Sequence, residues 1–229
     1  MSLSVEELRE LARIATAGRG STPDPDDEGA AGLASVDPAD VMAYLDSEDR
    51  NIRVAALRVL SFTDGPVAAE GVLRGLDDPM KRVREVAAKC SPRFVSDPRV
   101  VARLQKAVAE AETGSARPAF AVLAGTYSSP YGLSQLEPVA DALGRLAHLP
   151  RYRQQVLASL LRARSLTEET RALLREFVLN GTKEEAVAAT RRLCGFWVTS
   201  KAFLSDEELR TAERAWGEVW YWVPLSTEA

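Results

Sequence analysis

One histidine, His148, and two cysteines, Cys90 and Cys194, are the only imidazole and thiol groups in this chain of 229 residues. The cysteines lie more than 100 residues apart without spaced partners, so a tetrahedral N/S metal site has no material and no metal is expected. Both sit in apolar helical stretches, which points to buried free thiols rather than a disulfide. No apolar run approaches the length of a membrane span. The N-terminal MSLSVEELRE carries acids where a secretory signal would carry bases, so a cytoplasmic protein is expected. Alternating runs of β-branched residues are missing, which argues against strands. Gly-x-Ser-x-Gly, the Walker loop and Gly-x-Gly-x-x-Gly are all absent, so neither a nucleophile elbow nor a nucleotide cradle is expected, and no cofactor. His148 follows an apolar helical run, where a cation suits the helix dipole better than it suits catalysis.

What the chain does have favours helix. Ala, Leu, Arg and Glu are abundant, while aromatics make up only 7%. The net charge of −4 conceals an asymmetry: residues 1–50 hold 12 acids and 4 bases, the remainder 21 acids and 25 bases. The densest basic run extends from Lys81 to Lys106 and includes Arg82, Arg84, Lys89, Arg93, Arg99 and Arg103. Such a run could attract an anionic partner, although outward-facing bases on amphipathic helices explain it more simply.

Helix starts are well marked. Ser4…Glu7, Ser165…Glu168, Thr182…Glu185 and Ser205…Glu208 have the spacing of capping boxes. Asp37-Pro38, Asp78-Pro79 and Asp97-Pro98 pair a capping Asp with Pro at the first helical position. Apolar residues between these marks recur with a helical period, as in Ile52, Ala56, Val59 and Leu60 or Val83, Val86, Ala87 and Cys90. The expected layout is an N-terminal helix over 4–16, helix pairs over 38–61, 66–93, 98–124, 134–164 and 166–196, and a last helix over 205–222. In domain terms this gives an N-terminal helix (1–17), a flexible acidic linker (18–36) and a helical repeat domain (37–229). The Gly-, Pro- and Asp-rich linker reads as a solvated tether in preference to a flap over the basic run.

One short pattern occurs twice, 31 residues apart: Leu45-Asp46, Ile52-Arg53 and Ala56 return as Leu76-Asp77, Val83-Arg84 and Ala87. A period of that size signals stacked helix pairs, because a lone pair of short helices cannot bury its apolar stripe. A turn opening with Asp, then a second helix beginning apolar-Arg-x-x-Ala, resembles a HEAT repeat. The two clear copies are 41–57 and 72–88; degraded copies lie at Ala116–Ala121 and Leu179–Ala189. The resemblance implies an all-α solenoid of about five HEAT-like pairs with an N-terminal helix and a C-terminal capping helix. It also implies that Asp46, Arg53, Asp77 and Arg84 form a structural ladder between adjacent turns.

Sites for function are sought where the pattern lapses. The long 124–138 segment offers Tyr127 and Tyr131, the basic run Arg84, Lys89 and Arg103, and the Trp-rich C-terminal end Trp197. Trp216 and Trp220 also share a helix face there, as an aromatic plug for the end of the array. The leading expectation is a scaffold whose concave face holds a protein or peptide. The alternative is an enzyme on the same scaffold, similar in outline to the bacterial HEAT-like alkylpurine DNA glycosylases or to a lyase or biosynthetic enzyme acting on a small molecule. DNA ranks below a protein partner, since a net acidic chain binds it poorly unless its bases are segregated. No catalytic residue is assigned.

Overall fold

The computed structural model describes residues 3–17, 32–33, 35–127, 137–194, 205–208 and 210–211, and within these the chain is all-helical with no strand. The helices are α1 (Val5–Ala17), α2 (Pro38–Met42), α3 (Arg50–Leu60), α4 (Pro66–Leu76), α5 (Lys81–Cys90), α6 (Pro98–Ala109), α7 (Ala116–Leu123), α8 (Ala140–Ala147), α9 (Pro150–Arg162), α10 (Glu168–Asn180) and α11 (Lys183–Cys194). A 3-10 turn extends α2 through Ala43–Asp46, and another follows α5 at Ser91–Phe94. Most of the expected last helix, 205–222, lies outside the described residues.

The caps explain most of the boundaries. Ser4 and Glu7 exchange bonds at the start of α1, as do Thr182 and Glu185 at α11 and Ser205 and Glu208 further on. Asp37 and Asp97 accept the amides of Ala39 and Arg99 across their prolines, both at 2.9 Å. Two expected caps fall elsewhere. Thr167, not Ser165, caps α10, its hydroxyl accepting from the Thr170 amide, so the helix starts with two acids in its first turn. Asp78 does take the Met80 amide at 2.7 Å while also bonded by Arg53, yet α5 opens only at Lys81.

The chain divides into two compact units, Met1–Ala142 and Leu143–Ala229, a division that falls inside the stretch expected to form one repeat domain. In the first unit the contacts run in two rows. Helices α1, α3, α5 and α7 touch in succession, and α2, α4 and α6 form the second row, crossed by the contacts within each hairpin. The core lies between the rows, with Leu8, Val41, Ala56, Leu57, Leu60, Val72, Leu76, Val83, Ala87 and Leu104 fully or almost fully buried. Two glycines of α4 set the spacing: a Cβ on Gly71 would come within 2.5 Å of Leu60 Cδ1, and one on Gly75 within 2.6 Å of Leu57 Cδ2. Helix α1 belongs to this packing, burying Leu8, Ala12 and Ala15 on one stripe, while the Tyr44 hydroxyl donates to the Leu3 carbonyl.

The second unit is built on α10 packed against α11, with α9 touching both. Leu174, Phe177, Val178, Ala186 and Ala189 form its core with Leu143, Leu146, Val156 and Leu160.

Candidate functional site

The two pattern arginines make the same local bonds. Arg53 Nη1 donates to the carbonyls of Ser47 (2.7 Å) and Glu48 (3.1 Å), and Arg84 Nη1 to those of Asp78 and Pro79 (both 2.8 Å). These acceptors are six and five residues back in each case. Each guanidinium thus holds the orphan carbonyls of its own turn, and its remaining nitrogens reach onward. Arg53 forks onto Asp78 at 2.8 and 3.2 Å, with side chains only 11% and 9% exposed, and Arg84 reaches the Thr113 carbonyl at 3.3 Å.

Asp46 and Asp77, expected as the other half of the ladder, pair with different partners. Asp46 binds Arg74 of α4, and Asp77 binds Arg103 of α6 at 2.6 Å. Asp46–Arg74, Arg53–Asp78 and Asp77–Arg103 thus each join one helix pair to the next, and the contact made by a pattern arginine is Arg53–Asp78. Adjacent aspartates after Leu76 leave the sequence ambiguous; the structure selects Asp78, which faces back along the array while Asp77 faces α6.

The basic run is likewise engaged. Arg103 also donates to the Leu76 carbonyl at 2.7 Å and pairs with Glu112 at 2.9 Å, and Glu112 accepts the Ser115 hydroxyl at 2.8 Å. Burial works against the charge on Glu112, but the bonds from Arg103 and Ser115 outweigh it and hold the carboxyl below its usual range. Lys89 bonds Glu85, which also takes Arg82 and is held low chiefly by the Lys89 bond. Arg93 meets Asp64 at 3.2 Å, and Arg99 meets Asp97 and Glu70 at 2.8 and 3.0 Å. Two of the candidates in the basic run, Arg84 and Arg103, have guanidiniums turned into the inter-helix turns.

Of the remaining candidates, Tyr127 is half-buried beyond α7, while Tyr131 and Trp197, like Trp216 and Trp220, lie outside the described residues. His148 is exposed just past the end of α8. Cys90 is fully buried as a free thiol, and burial pushes it up to about 12 against the opposing bond from Ser61, so it is unreactive at neutral pH. Among the described residues no group of three or more His, Cys, Asp or Glu side chains is placed to hold a metal ion.

In the second unit one buried carboxylate gathers several polar contacts. Glu185, 2% exposed, takes Arg153 Nε and Nη2 at 3.1 and 3.0 Å and Gln154 Nε2 at 2.9 Å, as well as the Thr182 amide of its capping box at 2.9 Å. The Arg153 guanidinium also stacks over the Phe177 ring at 4.7 Å. The capping-box spacing was legible in the sequence, but nothing there marked Arg153 as the partner.

Two open cavities lie in the first unit. One, of about 320 Å³, sits between α4 and the following turn, lined by Leu73, Arg74, Asp77 and Asp78 among others. The other, of about 540 Å³, opens between α1 and the start of α2, over Leu3, Leu11 and Val36 with Glu7, Glu10, Asp37 and Asp40 around it.

No family model, curated protein or solved structure matches this chain.

Proposed function

We propose that the chain is a HEAT-like α-solenoid scaffold that holds a protein or peptide partner on the face formed by the second helices of its pairs. The observation that carries this reading is the repeated bonding of Arg53 and Arg84. Each clamps the carbonyls five and six residues back and reaches into the next turn, as stacked copies of one unit would. The row α1–α3–α5–α7 supplies the second helices, and repeated rows of this kind present an extended face for a partner. Arg53 and Arg84 serve as the frame of that face. Contact with the partner falls to side chains between the frame residues, among them Lys89 on α5 and Tyr127 beyond α7.

A photo-crosslinking amino acid at Lys89, in the second-helix row, and another at exposed Ala102, in the α2–α4–α6 row, test this in extracts of the source cell. A defined protein adduct from position 89 and not from 102 is the expected result, weakened several-fold in its yield by Lys81→Glu. Adducts only from position 102, or none from either, would overturn the reading.

A further inference from the structure

We infer that the groove between α1 and the start of α2 is a docking site for a basic segment of another protein that carries a large apolar side chain between Lys or Arg residues. The inference goes beyond the scaffold reading and does not rest on it. The groove's floor is apolar: half-buried Leu3 lies just before α1, half-buried Leu11 lies on it, and half-buried Val36 precedes the Asp37 cap. Leu8, Ala12 and Ala15 form the stripe that packs α1 against the rest of the unit, so Leu11, off that stripe, meets Leu3 and Val36 at the groove instead.

Among the described residues, the charged side chains lining the groove are all acids: Glu7, Glu10, Asp37 and Asp40. Their present bonds leave acceptor capacity. Glu7 takes one amide, Asp37 takes one amide, Glu10 pairs with the exposed Arg13, and Asp40 has no ion pair among the described residues. The surroundings reinforce the sign, since residues 1–50 hold 12 acids against 4 bases. The protein's own basic run is a poor occupant, because Arg82, Arg84, Lys89, Arg93, Arg99 and Arg103 are already bonded within the unit. A volume of about 540 Å³ suits one large side chain with its flanking backbone. Apolar burial on the floor then supplies affinity while the rim selects charge and speeds encounter.

The test is fluorescence anisotropy of three labelled hexapeptides with the full chain at low salt: Lys-Arg-Leu-Leu-Lys-Arg, the same with Ser for Leu, and the same with Glu for every base. The first is expected to bind at least about tenfold more tightly than either other, and more weakly as salt rises. Asp40→Lys, at an exposed position, is expected to weaken it about fivefold or more, with Leu11→Ser acting on the Leu peptide alone. Equal binding of the Leu and Ser peptides, or binding indifferent to Asp40→Lys, overturns the proposal. So does absence of binding by the first peptide. If that absence comes with a dimer in light scattering that Asp40→Lys dissolves, the groove belongs to a second copy. If binding appears only when 19–31 is replaced by a Gly-Ser tether, it belongs to the chain's own segment.

Discussion

The two compact units solve one problem, the bonding of one helix pair to the next, in opposite ways. In Met1–Ala142 the work is spread over many arginines. Arg53, Arg74, Arg84, Arg93, Arg99 and Arg103 each reach a residue 25 to 29 positions away, and most of these pairs are open to water. In Leu143–Ala229 Arg192 likewise reaches the Ala163 carbonyl, 29 positions away, but the most buried contact is at Glu185, bonded by Arg153, Gln154 and Thr182 together. A distributed set of exposed bonds tolerates the loss of any one, since exposed pairs contribute little. A buried hub does not, because losing its cation strands the Glu185 carboxylate, 2% exposed, in a low dielectric.

The largest effect therefore falls in the second unit. Arg153→Ala is expected to cost about 3 kcal/mol, because it leaves the Glu185 carboxylate, 2% exposed, without its cation. Hydrogen exchange of the α10 and α11 amides should accelerate accordingly while that of α3–α5 stays unchanged. Loss of less than about 1 kcal/mol in urea unfolding would show that the hub is no more critical than the web.

Within the web, the two pattern arginines separate. Arg53→Ala strands the Asp78 carboxylate, which is 9% exposed, and should cost about 2 kcal/mol. Arg84→Ala leaves only neutral carbonyls, and about 1 kcal/mol is expected. A double-mutant cycle of Arg53 with Asp78 should give a coupling of about 1–2 kcal/mol, whereas the same cycle with Asp77 should give none. Equal losses for the two arginines would mean that the carboxylate adds nothing to the turn.

That contrast also marks how far the sequence carries. Helix identity and most boundaries were legible, because capping residues and Pro report local geometry that needs no tertiary information. The 31-residue echo likewise exposed Arg53 and Arg84 as equivalent. The pairing was not legible. Leu76-Asp77-Asp78 offers two carboxylates one residue apart, and which of them faces Arg53 depends on how α4 ends, at a Gly75 packed against Leu57 and Ala87. The partners of Glu185 were hidden for a similar reason, since Arg153 is one of several arginines on α9 and only the packing of α9 on α11 selects it. The acidic-rimmed groove draws on α1 and on residues 32–40, which the sequence assigned to separate parts of the chain. Its constituents were visible, but their meeting was not.

The smallest expected effect concerns pH, and its sign follows from Glu112. Its folded pKa lies below the value it has in the unfolded chain, so the unfolded state binds the proton first as acid is added. The stabilisation from the Arg103–Glu112–Ser115 cluster is thus complete above the ordinary glutamate value of about 4.3 and fades as pH falls through the lower folded value. Glu112→Gln removes that dependence and should flatten the acid limb of the first unit's stability by a few tenths of a kcal/mol. Hydrogen exchange of α6 and α7 amides between roughly pH 3 and 5 would detect it. An acid limb that is unchanged by Glu112→Gln, or one that steepens, would place the acid sensitivity of the first unit in Glu85 and the exposed carboxylates. The web would then titrate as a diffuse surface rather than through the Arg103–Glu112–Ser115 cluster.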